Sequence, residues 1–299
     1  MTAVHSSPAA ARAADVICEG LVHIYPGEDR PIVALRNVEL EVPAGEMVGL
    51  LGPSGSGKST LLSVLSGLLR PTAGKVWVAG HDMTRLDERG LGRLRATELA
   101  LLLQDPLQNL IPYATVAENI AFAQRGARRR RWPGRWSARE LVDMFDLAAA
   151  ADRPVYQLSG GELQKAAMAS AVATSPRVLV ADEPTTNLDP AGREAVIEGL
   201  RHAHRVSGAT VIAATHDVVT AGAFPRTLTI SHGLIGSEGR GGRRFAVVGR
   251  DGAVQLPPDV AAQYPAGSLF RVVVTDTAVE LRPQTSSEDE DGEDPPPDR

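Results

Sequence analysis

Nine residues, Gly52-Pro53-Ser54-Gly55-Ser56-Gly57-Lys58-Ser59-Thr60, constrain this chain more than any other stretch. They follow Met47-Val48-Gly49-Leu50-Leu51, an apolar run of strand length, and precede Leu61-Leu62-Ser63-Val64-Leu65, which reads as a helix. The pattern G-x-x-x-x-G-K-[ST] between a strand and a helix is a phosphate-binding loop. Its glycines let successive backbone N–H groups turn towards phosphate oxygens, and a helix beginning at Lys58 aims its positive dipole end at them. Lys58 is expected to reach the β- and γ-phosphates and Ser59 to ligate Mg²⁺. The bland alternative, a glycine-rich turn that binds nothing, does not account for Lys-Ser placed directly after the last glycine.

At 299 residues the chain suits one large domain plus an appendage. Its single cysteine, Cys18, lies in an apolar strand-like run, so no disulfide framework is expected and a reducing compartment fits. No apolar run approaches the ~18 to 20 residues that cross a bilayer, and the N-terminus lacks a signal-peptide core. A membrane role therefore calls for a second chain. The net charge of −5 is uneven: residues 284–299 carry seven acids against Arg299, which leaves the rest of the chain near +1. This acidic stretch, with Pro295-Pro296-Pro297, is too polar to bury a core and is expected to be a disordered tail.

In chain order, residues 1–14 form an Ala/Ser/Pro leader. The apolar segments from Val16 to Val42, divided by the turn-rich Pro26–Pro31 stretch, read as an antiparallel β-layer. Tyr25 ends one of its strands, where a ring either packs or stacks on a flat base. Gly74–Gly80 reads as a strand, Leu86–Thr97 as a helix and Leu99–Leu103 as a buried strand ending at Gln104. Ligands gather at such strand ends in open α/β sheets, so Gln104 is a candidate for Mg²⁺ or the attacking water, a solvated strand end being the alternative.

From Asp105 to Ala151 the apolar period becomes helical, with one helix starting near Thr115 and another capped by Ser137 and Glu140. Between them, Arg125 to Trp136 interleaves basic residues with tryptophan, a solvated loop or a surface for lipid headgroups. Nucleic acid is disfavoured, because the folded remainder is nearly neutral. Ser159-Gly160-Gly161 opens an alanine-rich helix and offers a second anion site, with a hydroxyl and free N–H groups.

The phosphate loop, Leu158-Ser159-Gly160-Gly161-Glu162, the run Arg177 to Thr185, Asn187-Leu188-Asp189 and Ala214-Thr215-His216-Asp217 resemble the ordered motifs of an ATP-binding cassette (ABC) ATPase. The similarity covers about Val16 to Ser231. It implies an α/β P-loop NTPase cassette with an antiparallel β-layer and a helical subdomain over about 105–175. It implies Mg-ATP as the ligand, bound by Tyr25, Gly52, Pro53, Ser54, Gly55, Ser56, Gly57, Lys58, Ser59 and Thr60. It also implies a head-to-tail homodimer in which Ser159, Gly160 and Gly161 complete the partner's γ-phosphate site and Asp189 lies in the dimer-crossing loop. Within it, Asp182 and Gln104 join Ser59 around Mg²⁺, Glu183 is the general base, and His216 steadies the γ-phosphate and the water, alongside Lys58. The signature departs from the common pattern at Glu162, where glutamine is usual, and at Lys165, where arginine is usual.

The runs Ala181–Asp189 and Asn109–Asn119 resemble the ATPases of macrolide-efflux and lipoprotein-release systems, which implies a separate integral-membrane permease received at Asp105–Asn119. Such a subunit is cytoplasmic and peripheral on the inner membrane face. Beyond a Gly239–Gly242 hinge, residues 239–283 read as a β-rich module of two hairpins, similar to swapped-hairpin barrels of the AbrB type, which points to dimer stabilisation or regulation. The rival readings are an ATP-driven signalling regulator with a permease-like partner and a soluble nucleic-acid-associated ATPase.

Overall fold

The computed structural model describes residues 14–27, 30–126, 136–186, 188–241 and 243–248, with 252, 254, 256, 260, 263–264, 268–275 and 278–283 beyond. The leader, most of the arginine and tryptophan stretch, Asn187, Asp251 and the acidic tail lie outside them. The chain divides into two compact units, Met1–Gln255 and Leu256–Arg299.

The first unit opens with β1 (Ala14–Tyr25) and β2 (Ile32–Pro43), followed by β3 (Met47–Leu51), α1 (Lys58–Leu65), β4 (Ala73–Val78), β5 (His81–Asp82), α2 (Glu88–Thr97) and β6 (Leu99–Leu102). It continues through α3 (Val116–Gly126), α4 (Ala138–Met144), α5 (Gly160–Val172), β7 (Val178–Asp182), α6 (Pro190–Ser207), β8 (Thr210–Thr215) and α7 (Val218–Gly222). The strands β9 (Arg226–Ser231), β10 (Leu234–Arg240) and β11 (Arg243–Ala246) complete its regular structure.

Two sheets form. An antiparallel layer runs in the order β2-β1-β4-β5, and a seven-stranded sheet in the order β11-β10-β9-β3-β8-β7-β6. The four apolar segments of the N-terminal stretch merge into two long strands, whose register slips between Cys18 and Leu21, around Gly20 at φ 58°. In the large sheet β6, β7, β8, β3 and β9 pair in parallel, while β10 and β11 close one edge antiparallel. Gly239 and Arg240 are therefore strand residues of β10 rather than part of a hinge. Arg240 pairs with Arg243 across a tight turn, and the strand that follows belongs to the first unit because the open backbone edge of β10 binds it.

Side-chain alternation assigns each face of the parallel strands to its own core. Val178, Val180, Ile212 and Ala214 pack with α1, α2 and the antiparallel layer. Leu179, Ala181, Val211 and Ala213 pack with α3 to α6. With both faces covered, the strands read as continuous apolar runs. The helices are capped as their sequences spell: Ser137 and Glu140 form a capping box on α4, and α6 has Asp189 at its N-cap, Pro190 next and Gly208 at φ 66° after its end.

The antiparallel layer is bolted to the large sheet by Asp15, which is 2 % exposed. Its carboxylate accepts from Thr210 Oγ1 at 2.6 Å and from Arg177 Nε at 2.5 Å, and its carbonyl accepts from Ala79 N at 2.7 Å. Asp15→Ala leaves a buried hydroxyl and a guanidinium without their acceptor, and is expected to destabilise the protein by about 2–3 kcal/mol. Urea unfolding of the variant beside the parent measures this.

In the second unit, β12 (Phe270–Val274) and β13 (Val279–Pro283) form an antiparallel hairpin, and Tyr264 meets Phe270 edge to face at 4.8 Å. Val272, Val274, Val279 and Leu281 are exposed on it.

Candidate nucleotide-binding and hydrolysis site

Parallel pairing of β6, β7, β8 and β3 brings the loops after these strands to one edge, where a cavity of about 690 Å³ opens. It is lined by Pro53, Ser54, Gly55, Gly57, Lys58, Ser59 and Thr60, together with Gln104, Glu183 and His216, and by Tyr25 from β1. Ile32, Val33 and Ala34 of β2 add an apolar wall that the sequence reading did not anticipate.

The loop geometry explains its glycines. A Cβ on Gly52 would lie 2.3 Å from the Ile230 carbonyl oxygen. Gly57 sits at φ 105°, and a Cβ there would lie 2.5 Å from the carbonyl oxygen of Ala34. Both positions admit only glycine, and Gly57 sets the direction in which α1 leaves the loop. Ser56 is buried with an unpartnered hydroxyl, and Gly52 is packed behind the loop, so neither lines the cavity.

Lys58 is 6 % exposed and turned inward. Its Nζ donates to the carbonyls of Gly52 at 2.7 Å and Pro53 at 3.0 Å and lies 3.5 Å from Glu183 Oε1. The ammonium expected on the phosphates thus rests on its own loop and on the candidate base. Glu183 is held at φ 48°, a left-handed conformation that costs a non-glycine residue about 1–2 kcal/mol. Its Oε2 meets His216 Nδ1 at 2.9 Å and Thr186 Oγ1 at 3.3 Å. Both carboxylate oxygens are therefore oriented, one by a cation and one by an imidazole and a hydroxyl.

Next to Glu183, at the end of β7, Asp182 is 8 % exposed and its Oδ1 has no partner. Burial pushes its carboxyl up, and the charge of Glu183 adds to this; a hydrogen bond with the Ser59 hydroxyl and the Lys58 charge oppose it. An orphaned carboxylate oxygen beside a serine hydroxyl is a donor set that suits a hard divalent cation. Tyr25 stands at the cavity mouth, its hydroxyl 3.3 Å from Thr60 Oγ1 and its ring 4.6 Å from that of His23, edge to face. His23 is buried behind it and was not singled out from the sequence, although a polar residue two places before Tyr25 in a half-buried strand shares its face.

Ser159, Gly160, Gly161 and Asp189 are not in this cavity. Asp189 caps α6 by accepting from Gly192 N at 2.8 Å. Ser159 caps α5, and here the expectation of a free hydroxyl needs correction. Its backbone N–H and its hydroxyl both donate to Glu162 Oε2, each at 2.8 Å. Ser159-x-x-Glu162 is a capping box, legible in the sequence by the same spacing as Ser137 and Glu140. The carboxyl of Glu162 is held below its usual range by the Ser159 backbone N–H, then by its hydroxyl, with Arg153 adding to both.

Residues 35–186 match the family described as ABC transporter. The lipoprotein-releasing system ATP-binding protein LolD 2 of Caulobacter vibrioides is 39 % identical over 72 % of this chain and 93 % of its own length. LolD of Anaeromyxobacter dehalogenans is 40 % identical over 70 % and 88 %, and the methionine import ATP-binding protein MetN of Geobacillus kaustophilus 37 % over 68 % and 58 %. Among solved structures, the ATP-binding cassette MJ0796 in a dimeric post-hydrolysis state bound to ADP and Pi matches with a TM-score of 0.69, 33 % identity and coverage of 77 % of this chain and 100 % of that one. The chain belongs to the ABC transporter family, as an ATP-binding and ATP-hydrolysing subunit. Among the described residues no helix is long and apolar enough to cross a membrane.

Gly57→Ala forces both a left-handed alanine and a backbone collision at the head of α1. It is expected to cost about 2 kcal/mol or more in stability and to abolish retention of a fluorescent ATP analogue. Thermal unfolding and equilibrium binding check the two effects.

Proposed function

We propose that two copies of this chain stack head to tail, bind two Mg-ATP molecules between them and use hydrolysis to drive a separate integral-membrane permease of the lipoprotein-release type. The observation that carries this reading is the division of the motifs. One subunit's cavity holds the phosphate loop, Glu183 and His216, whereas Ser159-Gly160-Gly161 opens α5 outside it. A second copy supplies that signature to the far side of the γ-phosphate. The dimeric state of the solved cassette bound to ADP and Pi supports pairing of two copies, and the LolD relatives support a lipoprotein-release partner.

In this reading the backbone N–H groups of Gly55, Gly57 and Lys58 take the β-phosphate and Lys58 leaves the Gly52 and Pro53 carbonyls for the β- and γ-oxygens. Tyr25 stacks on the base. Ser59, Asp182 and Gln104 would hold Mg²⁺, which neutralises charge on the phosphate oxygens when bound. Glu183, freed from Lys58, takes a proton from the attacking water, and His216 keeps the carboxylate and the γ-phosphate in register. Asp189 stands at the crossing between subunits. In this reading the exposed Leu107 and Tyr113 of Asp105–Asn119, with Tyr156, offer an apolar surface for a permease helix, and the subunit works at the cytoplasmic face of the membrane.

Glu183→Gln is expected to keep ATP binding, to accumulate an ATP-dependent dimer in size-exclusion chromatography and to lower turnover by about a hundredfold or more. Hydrolysis at the parental rate would remove Glu183 as the base.

The second unit serves as a dimer clamp in this reading, of the AbrB type. A lone two-stranded hairpin is marginal in water, and its exposed Val272, Val274, Val279 and Leu281 gain from an identical partner. Truncation after Gln255, which spares β11, is expected to weaken self-association about tenfold or more by analytical ultracentrifugation. Equal association of the truncated chain defeats the clamp.

A further inference from the structure

The capping box on α5 carries a charge that capping alone does not explain. Ser159 N–H to Glu162 Oε2 and Glu162 N–H to Ser159 Oγ complete the box, and Oε2 receives the Ser159 hydroxyl as well. Its other oxygen, Oε1, receives Arg153 Nη1 at 2.9 Å, and the second arm of the guanidinium donates to the Gln157 carbonyl just upstream of the signature. Three groups therefore converge on one carboxylate at the N-terminus where, in the reading above, a γ-phosphate arrives.

The hydroxyl of Ser159 has one proton, and it is spent on Glu162, while its oxygen accepts from Glu162 N at 3.4 Å. A phosphate approaching α5 meets a serine lone pair backed by a full negative charge, the opposite of what an anion site offers. The bond to Arg153 offsets that charge and draws the carboxylate's electron density towards Oε1, so that the Ser159 proton is more easily surrendered. The backbone of Arg153 is also zipped to the loop proposed to face the permease: Val116 N donates to its carbonyl at 3.3 Å, and Val155 N donates to the Ala114 carbonyl at 3.0 Å.

We propose that Arg153 is a positioning residue for ATP-driven pairing: by neutralising Glu162 it frees the Ser159 hydroxyl for the γ-phosphate held by a second copy of this chain. It ties that release to the position of the Ala114–Val116 loop. Glutamine, uncharged, needs no such partner, and the arginine is the counterpart of the glutamate in this chain's signature.

This inference rests on the shared-site reading, so its test starts from a parent that reports on that reading separately. In full-length Glu183→Gln protein, ATP-dependent dimerisation is titrated for Arg153→Met, Glu162→Gln, the double variant and Arg153→Lys. Hydrolysis is followed in the same set with Glu183 intact. Arg153→Met is expected to raise the ATP concentration for half-maximal pairing, and KM, by about threefold to fivefold, the shift a partly exposed ion pair produces, with kcat at saturating ATP little changed. Adding Glu162→Gln is expected to return both to within about twofold of the parent, and Arg153→Lys to restore them in part. A defect in Arg153→Met that persists undiminished beside Glu162→Gln, or no defect at all, overturns the proposal, because an arginine acting only through local folding gains nothing from the glutamine. If Glu183→Gln itself fails to pair with ATP, the shared-site reading falls and takes this one with it.

Discussion

The parallel pairing of β6, β7, β8 and β3 is the constraint on which everything else in the first unit depends. Each of these strands, buried on both faces, ends at the same edge, and each end carries a different instrument. The phosphate loop follows β3, Gln104 follows β6, Asp182 and Glu183 close β7 and His216 follows β8. Residues separated by more than a hundred positions meet because a parallel sheet aligns its carboxyl ends, and helices on both faces keep it from shifting. The antiparallel layer adds the last wall. Asp15 locks it to β8, and its strands bring Tyr25 and the Ile32–Ala34 segment over the loop.

Within that frame the resting site is internally satisfied. Lys58 is neutralised by carbonyls and by Glu183, and Glu183 is shared with His216 and Thr186. Such pairing keeps buried charges tolerable, since an unpaired charge in this setting is costly. Asp182 is the exception: its Oδ1 has no partner among the described residues, and burial pushes its carboxyl up. The signature serine follows the same logic, with its proton lent to Glu162 and the glutamate's charge answered by Arg153.

Much of this was legible beforehand. The phosphate loop, the apolar strand before Asp182 and Glu183, the histidine after β8 and the capping box on α4 are local patterns, and local backbone chemistry enforces them wherever the chain goes. The readings that failed concern partners remote in sequence or choices between equivalent local patterns. Gly239–Gly242 reads as a hinge because glycines suit either hinge or turn, and only the vacant edge of β10 turned it into a hairpin. The Ser159 hydroxyl reads as free because the same spelling serves a phosphate and a carboxylate three residues on.

Order and spacing of the motifs by themselves determined the cassette and its ATPase class, because each motif is a short-range solution to binding phosphate or ending a strand. Only the tertiary structure decided that Lys58 rests on Glu183, that Asp15 joins the two sheets and that Arg153 answers Glu162. Those are pairings between side chains, and which charges come within reach of one another is set by how the strands and helices pack.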